Sequence, residues 1–525
     1  MPNLTELLAS WQDLRQTFDP VLASRAGAGA HDARLPGLDA ESVKLQLAAL
    51  KSLAGAVELA DLADDGEEID RTALLDVLRA RIYQLEQEIP QRRNPAAWLG
   101  ALANAYQSLR AHPHAAPHAR AQAALDRLEG TEEFIAKASK VLKSPAAVFV
   151  AEALELTPAV RAAARQLVTD AASWLPGLSE KLMQAGQQAE LAIAALESKL
   201  QEDVTPSIEP SAYAVGREAY DHRLHFEHAL RPSTPELWRW SQHTLEETRR
   251  TAVTAAVAAG LGDDLHLAAK KLRAARPAGD LQAEVLRALA RARKWVEGKG
   301  LLALPPAELR IVEMPEHLQL LGGRVLFEAD DVVYIRPASA SVSASASELL
   351  VDVLLELCPG RLTHRSIARG LQDPVRRVLA TPCATDGWAL FGLDLALEQG
   401  LVEDPFEIFA VRLAQLHAAA RAVIDIGLHT EGFTPDAATD LLVQLLPLER
   451  AEAVADVRRA AAWPTYSLAS AVGRREIIEL RQAWTASRRD GETAGGVRAF
   501  HDALLSYGGL PISLARWGMD LGLEE

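Results

Sequence analysis

Helical periodicity runs through most of this chain and limits what it can fold into more than any other feature. Apolar residues recur every three or four positions among abundant Ala, Leu, Glu and Arg, as in ESVKLQLAALKSLAGAVELADL (41–62) and TALLDVLRARIYQLEQEI (72–89). This spacing puts the apolar side chains on one helix face, and these residue types have high helix propensity. The sequence therefore predicts a mainly α protein with a large helical body.

The helical pattern is interrupted between about residues 308 and 337. The runs ELRIVEMP, RVLFEA and DVVYIRP are short, rich in β-branched residues and bounded by Gly, Asp and Pro, which is typical of strands. A small β element is predicted there. The next segment, Ala338 to Glu348, is made of small residues. Its composition favours a mobile loop over an edge strand or a plain connector.

The segment Gln201 to Gly216 is the best candidate for a linker, because it is acidic and contains proline. We place one boundary near residue 205. It separates an N-terminal helical region (1–205) from a cleft-forming domain (206–525).

Two Thr-Pro pairs predict helix starts in the first half of the chain. Thr157-Pro158 and Thr234-Pro235 each match an N-cap residue followed by proline at the first helical position. Helices are therefore expected to begin near Pro158 and near Pro235.

Charge and cysteine content narrow the class of protein. Lys and Arg number 55 against 71 Asp and Glu, a net charge of −16 that is spread along the chain and disfavours a nucleic-acid partner. Cys358 and Cys383 are the only cysteines, so a disulfide framework is not expected and a reducing cytoplasm is favoured. The N terminus lacks the pattern of a signal peptide, and no apolar run has membrane-spanning length. We expect a soluble cytoplasmic protein without a membrane partner, and leave its oligomeric state open.

The stretch LVDVLLELCPGRLTHRSIA (350–368) carries an acid, Glu356, on an apolar helical run that ends at Pro359-Gly360. A buried acid is usually paired or functional. A strand-rich patch, a helix with a Glu and a second helix with an acid about 30 residues later form the general layout of helical zinc peptidases. Such enzymes also need two imidazoles on one helix, and these are missing here.

Three further segments carry a family resemblance: DGWALFGLDLALEQGLVEDP (386–405), RAVIDIGLHTEGFTPDAA (421–438) and FHDALLSYGGLPISL (500–514). From about residue 130 to the end, the chain resembles the bacterial DUF885 proteins, domains of unknown function that look like cryptic metallopeptidases. The resemblance implies a helical, zinc-peptidase-like fold with a cleft.

The departures from the family pattern lie at polar positions. The opening stretch aligns with the motif His-Glu-x-x-Pro-Gly-His-His, in which the retained residues are Glu356, Pro359 and Gly360. The three histidines are replaced by Leu355, Arg361 and Leu362. Downstream, Asp386 stands in place of a Glu and Leu393 in place of a second Glu, while Pro464-Thr465-Tyr466 and Ser470 replace Pro-Gly-Gln and a following Tyr.

The resemblance places a set of candidate residues around this cleft. We predict Glu356 as a general acid/base whose pKa is raised by apolar neighbours, with Asp386 and His429 as further catalytic residues. Arg361 would anchor an anion. The other predicted substrate-binding residues are Arg421, Asp425, Trp388 and Tyr466.

Each of these roles has a plain structural alternative. Glu356 and Arg361 would form an ion pair across the Pro-Gly break without any chemistry. His429 would be satisfied by a backbone carbonyl at its helix end, and His364 would simply start its helix. Trp388 would be an ordinary core residue.

A metal is not expected in the family's usual place, since leucine cannot coordinate an ion and arginine repels a divalent cation. We predict no cofactor. A relocated site remains an alternative, because YDHRLHFEHALR (220–231) carries His222, His225 and His228. Their three-residue spacing moves around the helix, which favours a solvated face instead.

These observations leave three hypotheses about function. The first is a metal-independent enzyme that uses the cleft for acid/base chemistry on a small anionic or carbonyl-bearing substrate, such as a biosynthetic cyclisation, dehydration or condensation. The second is a non-catalytic pseudoenzyme that binds a peptide or protein. The third is a metal-dependent hydrolase with relocated ligands.

Overall fold

Helices make up most of the structure, a computed structural model that describes residues 3–62, 64–111, 114–202, 204–306, 309–320, 322–328, 332–337, 344–487 and 496–522. The α-helices and strands, in chain order, are α1 Leu4–Phe18, α2 Pro20–Arg25, α3 Ala40–Glu58, α4 Asp65–Tyr83, α5 Pro95–Ala111, α6 Pro117–Glu129, α7 Thr131–Val141, α8 Ala147–Trp174, α9 Ser179–Glu202, α10 Gly216–His228, α11 Thr234–Ala258, α12 Leu265–Ala275, α13 Leu281–Lys299, β1 Arg310–Glu313, α14 Glu316–Gln319, β2 Val325–Phe327, β3 Val332–Ile335, α15 Ala346–Glu356, α16 Arg361–Arg369, α17 Pro374–Val378, α18 Pro382–Glu398, α19 Pro405–Thr430, α20 Pro435–Leu445, α21 Arg450–Ala462, α22 Ala469–Ser487, α23 Gly496–Leu505 and α24 Ile512–Gly518. Short 3-10 turns lie at Gly29–His31, Pro90–Arg92, Pro176–Leu178 and Pro210–Ala212, and a π turn at Gln84–Glu88. The predicted mainly α fold is confirmed.

The chain forms two compact units. The first is built from Met1–Asp61, Arg81–Ala214 and Met314–Gly322, and the second from Leu62–Ala80, Val215–Glu313 and Gly323–Glu525. In the first unit, α5, α8 and α9 pack around a core that includes Trp98, Tyr106 and Leu167. The predicted division near residue 205 stays a prediction.

Among the described helices, none is long and apolar enough to cross a membrane.

The two proline signals have different outcomes. Helix α11 begins at Thr234, and its N-cap Ser233 forms a capping box with Glu236, so the start predicted near Pro235 is confirmed. The start predicted near Pro158 is wrong, since Pro158 lies inside α8. The buried stripe of α8 continues on both sides of the proline, with Val150 before it and Leu167 after it. That packing outweighs the helix-breaking cost of one proline, which is about 3 kcal/mol.

The predicted β element is confirmed in the second unit. Its three strands have the order β1-β3-β2, with β1 parallel and β2 antiparallel to β3. Leu326 of β2 pairs with Tyr334 of β3. In this order β3 is the central strand and β2 lies at an edge of the sheet. Residues 338–343 of the predicted mobile loop lie outside the described residues, and Ser345 beyond them is the N-cap of α15.

Two glycines allow α18 and α22 to cross at close range in the second unit. A Cβ built on Gly473 would lie 1.9 Å from the carbonyl oxygen of Cys383, and one built on Gly387 would lie 2.5 Å from the carbonyl carbon of Gly473. Both obstacles are backbone atoms, which cannot rotate away. The crossing therefore requires glycine at both positions. Asp386, the residue before Gly387, lies on the same helix α18.

We expect Gly473→Ala to lower the free energy of unfolding by about 3 kcal/mol, the upper end of typical overpacking costs. Urea denaturation measures the change. The matched control is Gly298→Ala, where an added Cβ meets nothing within 4 Å. This control should be neutral or stabilise by up to about 1 kcal/mol, because alanine restricts the unfolded chain. Equal stabilities of the two variants would contradict the close crossing.

Candidate functional site

The turn between α15 and α16 brings an acid and an arginine together in the second unit. Glu356 is the last residue of α15 and Arg361 the first of α16. Gly360 lies between them, and a Cβ there would sit 2.0 Å from the carbonyl oxygen of Leu355. Glycine thus permits the sharp reversal at the Pro-Gly break, which turns Arg361 back toward Glu356.

Arg361 bridges two carboxylates. Its Nη1 donates to Glu356 Oε1, and its Nε donates to Asp386 Oδ1 at 2.6 Å. The backbone N–H of Phe327, at the end of β2, donates to Glu356 Oε2 at 3.2 Å. The ion pair of Glu356 and Arg361 that we considered as an alternative is therefore present, and Asp386 joins it from α18.

The three charged groups keep partial contact with solvent. Their side chains are 13 % (Glu356), 8 % (Asp386) and 28 % (Arg361) exposed. Burial raises the pKa of Glu356, and the charge of Arg361 only partly offsets this. Burial lowers the pKa of Arg361, but Asp386 and Glu356 outweigh it and keep the guanidinium charged. Two acids share one cation, so the group as a whole can take up a proton.

Tyr466 lies next to this bridge. The residue is 37 % exposed, and the charge of Asp386 raises the pKa of its hydroxyl, with burial as the second cause. The charges of Arg361, Arg421 and Arg459 lower the pKa of this hydroxyl and oppose that shift. The structure therefore brings three of the predicted residues, Glu356, Arg361 and Asp386, into direct contact, and the charges of Asp386, Arg361 and Arg421 act on a fourth, Tyr466.

Three polar residues near this site were not predicted from the sequence. Asp456 and Arg459, on α21, lie beside Arg421 on α19, and His417 hydrogen-bonds to Asp456. His417 lies one helical turn before Arg421, so its spacing could have indicated it. No local signal marked Asp456 or Arg459, because the face that α21 turns toward α19 depends on tertiary packing.

Asp425 is fully buried and organises the backbone beneath the site. It accepts hydrogen bonds from the N–H groups of Thr465 and Leu468 and from the Tyr220 hydroxyl, each at 3.0 Å. Thr465 has a φ of 70°, a left-handed conformation that threonine rarely adopts. Burial raises the pKa of Asp425 to about 7, although these hydrogen bonds act in the opposite direction.

His429 and Trp388 are also buried. The Val215 N–H donates to His429 Nδ1 at 3.4 Å, and His429 Nε2 lies 2.9 Å from the Ala460 carbonyl, as in the backbone-carbonyl alternative. Burial lowers the pKa of His429 to about 4, so the ring is neutral. Trp388 Nε1 donates to the carbonyl of Pro359 at 2.7 Å and thereby supports the turn before Arg361. Direct roles for Asp425, His429 and Trp388 stay predictions.

The candidate histidines do not gather around one point. His222 and His225 both contact the ring of Phe226, while His228 is buried with its Nε2 3.2 Å from Thr465 Oγ1. His364 lies in the first turn of α16 and hydrogen-bonds to the backbone of Gly508. Within the described part of the chain, no three His, Cys, Asp or Glu side chains form a group that could hold a metal ion.

The bridge itself does not fit a divalent cation. Both acids that could coordinate an ion contact the positively charged Arg361, which would repel it. The adjacent positions are leucines, Leu355 and Leu362, which have no ligand atom.

Fold and site together define a mainly helical protein with a small sheet and a guanidinium-bridged pair of acids. A family model described as "Bacterial protein of unknown function (DUF885)" matches residues 20–519, so the chain belongs to this family. The match begins well before residue 130, where the resemblance of the sequence motifs starts. No curated protein matches the chain significantly.

Two solved structures share the fold. One is a "putative lipoprotein of unknown function" from Shewanella oneidensis, with a TM-score of 0.76, 18 % identity and 98 % of both chains covered. The other is described as the "putative lipoprotein" from Colwellia psychrerythraea, with a TM-score of 0.79, 17 % identity and 99 % of both chains covered. At these identities the likeness extends to the fold alone.

Proposed function

We propose that this protein is a metal-independent enzyme that carries out acid/base chemistry on a small anionic or carbonyl-bearing substrate. The observation that carries the proposal is the sharing of one guanidinium, that of Arg361, by two carboxylates. The three groups together carry one excess negative charge when both acids are ionised. One carboxylate can therefore hold or release a proton while the other stays paired.

Glu356 is the proposed general acid/base. Its raised pKa moves it toward neutral pH, where proton transfer is most effective. Asp386 would hold Arg361 in place. The contacts to the two acids use two of the five N–H donors of Arg361, and its others would bind a carbonyl or anionic oxygen of the substrate. Arg421 and Tyr466 border the same site.

The buried predicted residues take supporting roles in this proposal. Trp388 holds the turn that carries Arg361, and Asp425 holds the turn that carries Tyr466. His429 links α19 to α21 through Ala460. These contacts would keep the reacting groups in fixed positions.

A ligand screen followed by one substitution tests the proposal. Purified protein is first analysed for bound metal and then screened by thermal shift against small carboxylates, keto acids and amides. For a ligand that is turned over, we expect Glu356→Gln to lower kcat about 100-fold or more, because the amide cannot transfer the proton. Binding of the ligand should change little.

Asp352→Asn is the matched control, since Asp352 lies one turn earlier on α15 and pairs with Arg324 without joining the bridge. It should leave kcat unchanged. Full turnover by Glu356→Gln would contradict the assignment of Glu356, and a stoichiometric ion needed for turnover would contradict metal independence.

A non-catalytic binding protein is the second candidate. One observation favours it: both oxygens of Glu356 already have donors, Arg361 and the Phe327 N–H. In that case the bridge is only structural. A ligand that stabilises the protein but is never converted would support this candidate.

The predicted cytoplasmic location also belongs to the proposal. It is supported by Cys358 and Cys383, both buried as free thiols. The two similar structures are described as lipoproteins, which points to the cell envelope for those proteins. Fractionation of cells that produce the full-length protein distinguishes the two locations.

A further inference from the structure

One carboxylate, that of Asp456, lies close to three basic side chains, those of His417, Arg421 and Arg459. His417 Nε2 is within hydrogen-bond distance of Asp456 Oδ2. Arg459 Nη1 is 3.4 Å and Arg421 Nε 3.8 Å from Asp456 Oδ1. Burial would raise the pKa of Asp456, but the charges of Arg421, His417 and Arg459 outweigh it, so Asp456 is ionised.

The contact between Asp456 and Arg421 is electrostatic, and it leaves the Nε–H donor of Arg421 without a hydrogen bond in the described chain. At 3.8 Å the atoms are too far apart for a hydrogen bond, and Arg421 Nε is buried with no hydrogen-bond partner in the described chain. A buried donor without an acceptor costs stability. A ligand oxygen would remove that cost if the Arg421 side chain turned its Nε toward it.

The arginine side of the site carries excess positive charge. Among these three groups, Arg421 and Arg459 contribute two positive charges and Asp456 one negative charge, a sum of +1. This local excess occurs in a chain whose net charge is −16. The two arginine side chains are 20 % and 19 % exposed, so part of each reaches solvent.

We propose that Arg421 and Arg459, with the Tyr466 hydroxyl, bind a carboxylate group of the substrate. This inference rests on the proposed function, for which it names the class of substrate. Guanidinium groups bind planar carboxylates through paired N–H donors. The carboxylate would lie next to the bridge, with the reacting part of the substrate at Glu356 and Arg361.

The charge balance selects a carboxylate over a phosphate monoester. An excess of one positive charge matches a monoanion. A second negative charge would add to those of Glu356, Asp386 and Asp456, which Arg361, Arg421 and Arg459 already match one for one.

A matched pair of probes tests the carboxylate site without knowledge of the true substrate. The dissociation constants of 3-phenylpropionate and of its neutral amide, 3-phenylpropanamide, are measured by ligand-observed NMR on the full chain. We expect the acid to bind about tenfold or more tightly than the amide, as charge-assisted hydrogen bonds imply. Arg421→Met and Arg459→Met should each abolish this preference. Arg450→Met, which removes a 58 % exposed arginine from the same helix as Arg459, should keep it.

Two further variants separate a binding site from mere disruption of the fold. Asp456→Asn should tighten binding of the acid, because it removes the competing negative charge. Arg421→Lys keeps the charge and should retain part of the preference. It takes the place of Arg421→Met in the test if that variant does not fold. Equal affinity for acid and amide, tighter binding of phenyl phosphate, or an unchanged preference in both arginine variants would each overturn the proposal. Glu356→Gln should keep the preference, so a failed carboxylate site and a failed acid/base assignment give different results.

Discussion

Arg361→Met is expected to lower the free energy of unfolding by about 3–5 kcal/mol at pH 8, the usual cost of breaking a buried ion pair from one side. The substitution leaves Glu356 and Asp386, 13 % and 8 % exposed, close together without a cation. Methionine fills similar space, so the loss comes from charge more than from packing. Urea denaturation of both proteins measures it.

The loss should depend on pH in a defined direction. Burial already raises the pKa of Glu356 in the native protein, and removal of Arg361 takes away the main opposing effect. The folded variant then binds more protons than the unfolded chain above the unfolded pKa values of about 4. The destabilisation is therefore smallest near pH 4, grows as the pH rises and is complete above the raised folded pKa. Comparison of the variant with the wild type at pH 5 and pH 8 tests this.

Neutralising the acids provides the control. Arg361→Met combined with Glu356→Gln and Asp386→Asn should recover most of the lost stability and lose the pH dependence, because no buried charge remains. A single variant as stable as the wild type at pH 8 would show that the two acids are not held by Arg361.

Asp425→Ala is expected to lower the free energy of unfolding by about 4 kcal/mol. The substitution removes the acceptor for the Thr465 and Leu468 N–H groups and for the Tyr220 hydroxyl, all in the buried interior. Each buried donor left without a partner costs about 1–3 kcal/mol. The turn that carries Tyr466 also loses the contact that holds Thr465 at its positive φ. Thermal and urea denaturation measure the effect.

Tyr220→Phe is the graded control for this prediction. It removes only one donor and keeps the ring, which stacks 5.9 Å from His429, so about 1 kcal/mol should be lost. Asp425→Asn should fall between the two, because one amide oxygen replaces two carboxylate oxygens. Equal effects of Asp425→Ala and Tyr220→Phe would show that the backbone N–H groups find other partners.

The pairing of Glu356 with Arg361 is the part of the site that sequence reasoning reached most directly. The two residues are five positions apart across a Pro-Gly break, so local geometry is enough to suggest contact. Asp386 entered through family resemblance, since it lies on another helix, α18. Its contact with Arg361 depends on the packing of α16 against α18, for which the sequence gives no distance.

The missed residues have the same physical explanation. Asp456 and Arg459 lie on α21, whose apolar stripe predicts a helix but not the neighbour that it packs against. Pro158 shows the reverse case, in which a local signal was clear and tertiary packing overrode it.

The amino-acid sequence by itself determined the helical class, the small β element near residues 308–337 and the family. These properties follow from periodicity, β-branched runs and motif order, which are local or nearly local along the chain. Only the tertiary structure decided that Arg361 bridges Glu356 and Asp386, and that Asp425 and His429 are buried among backbone partners. Helix faces meet according to the packing of the whole unit, and that packing places side chains from distant helices within hydrogen-bond distance.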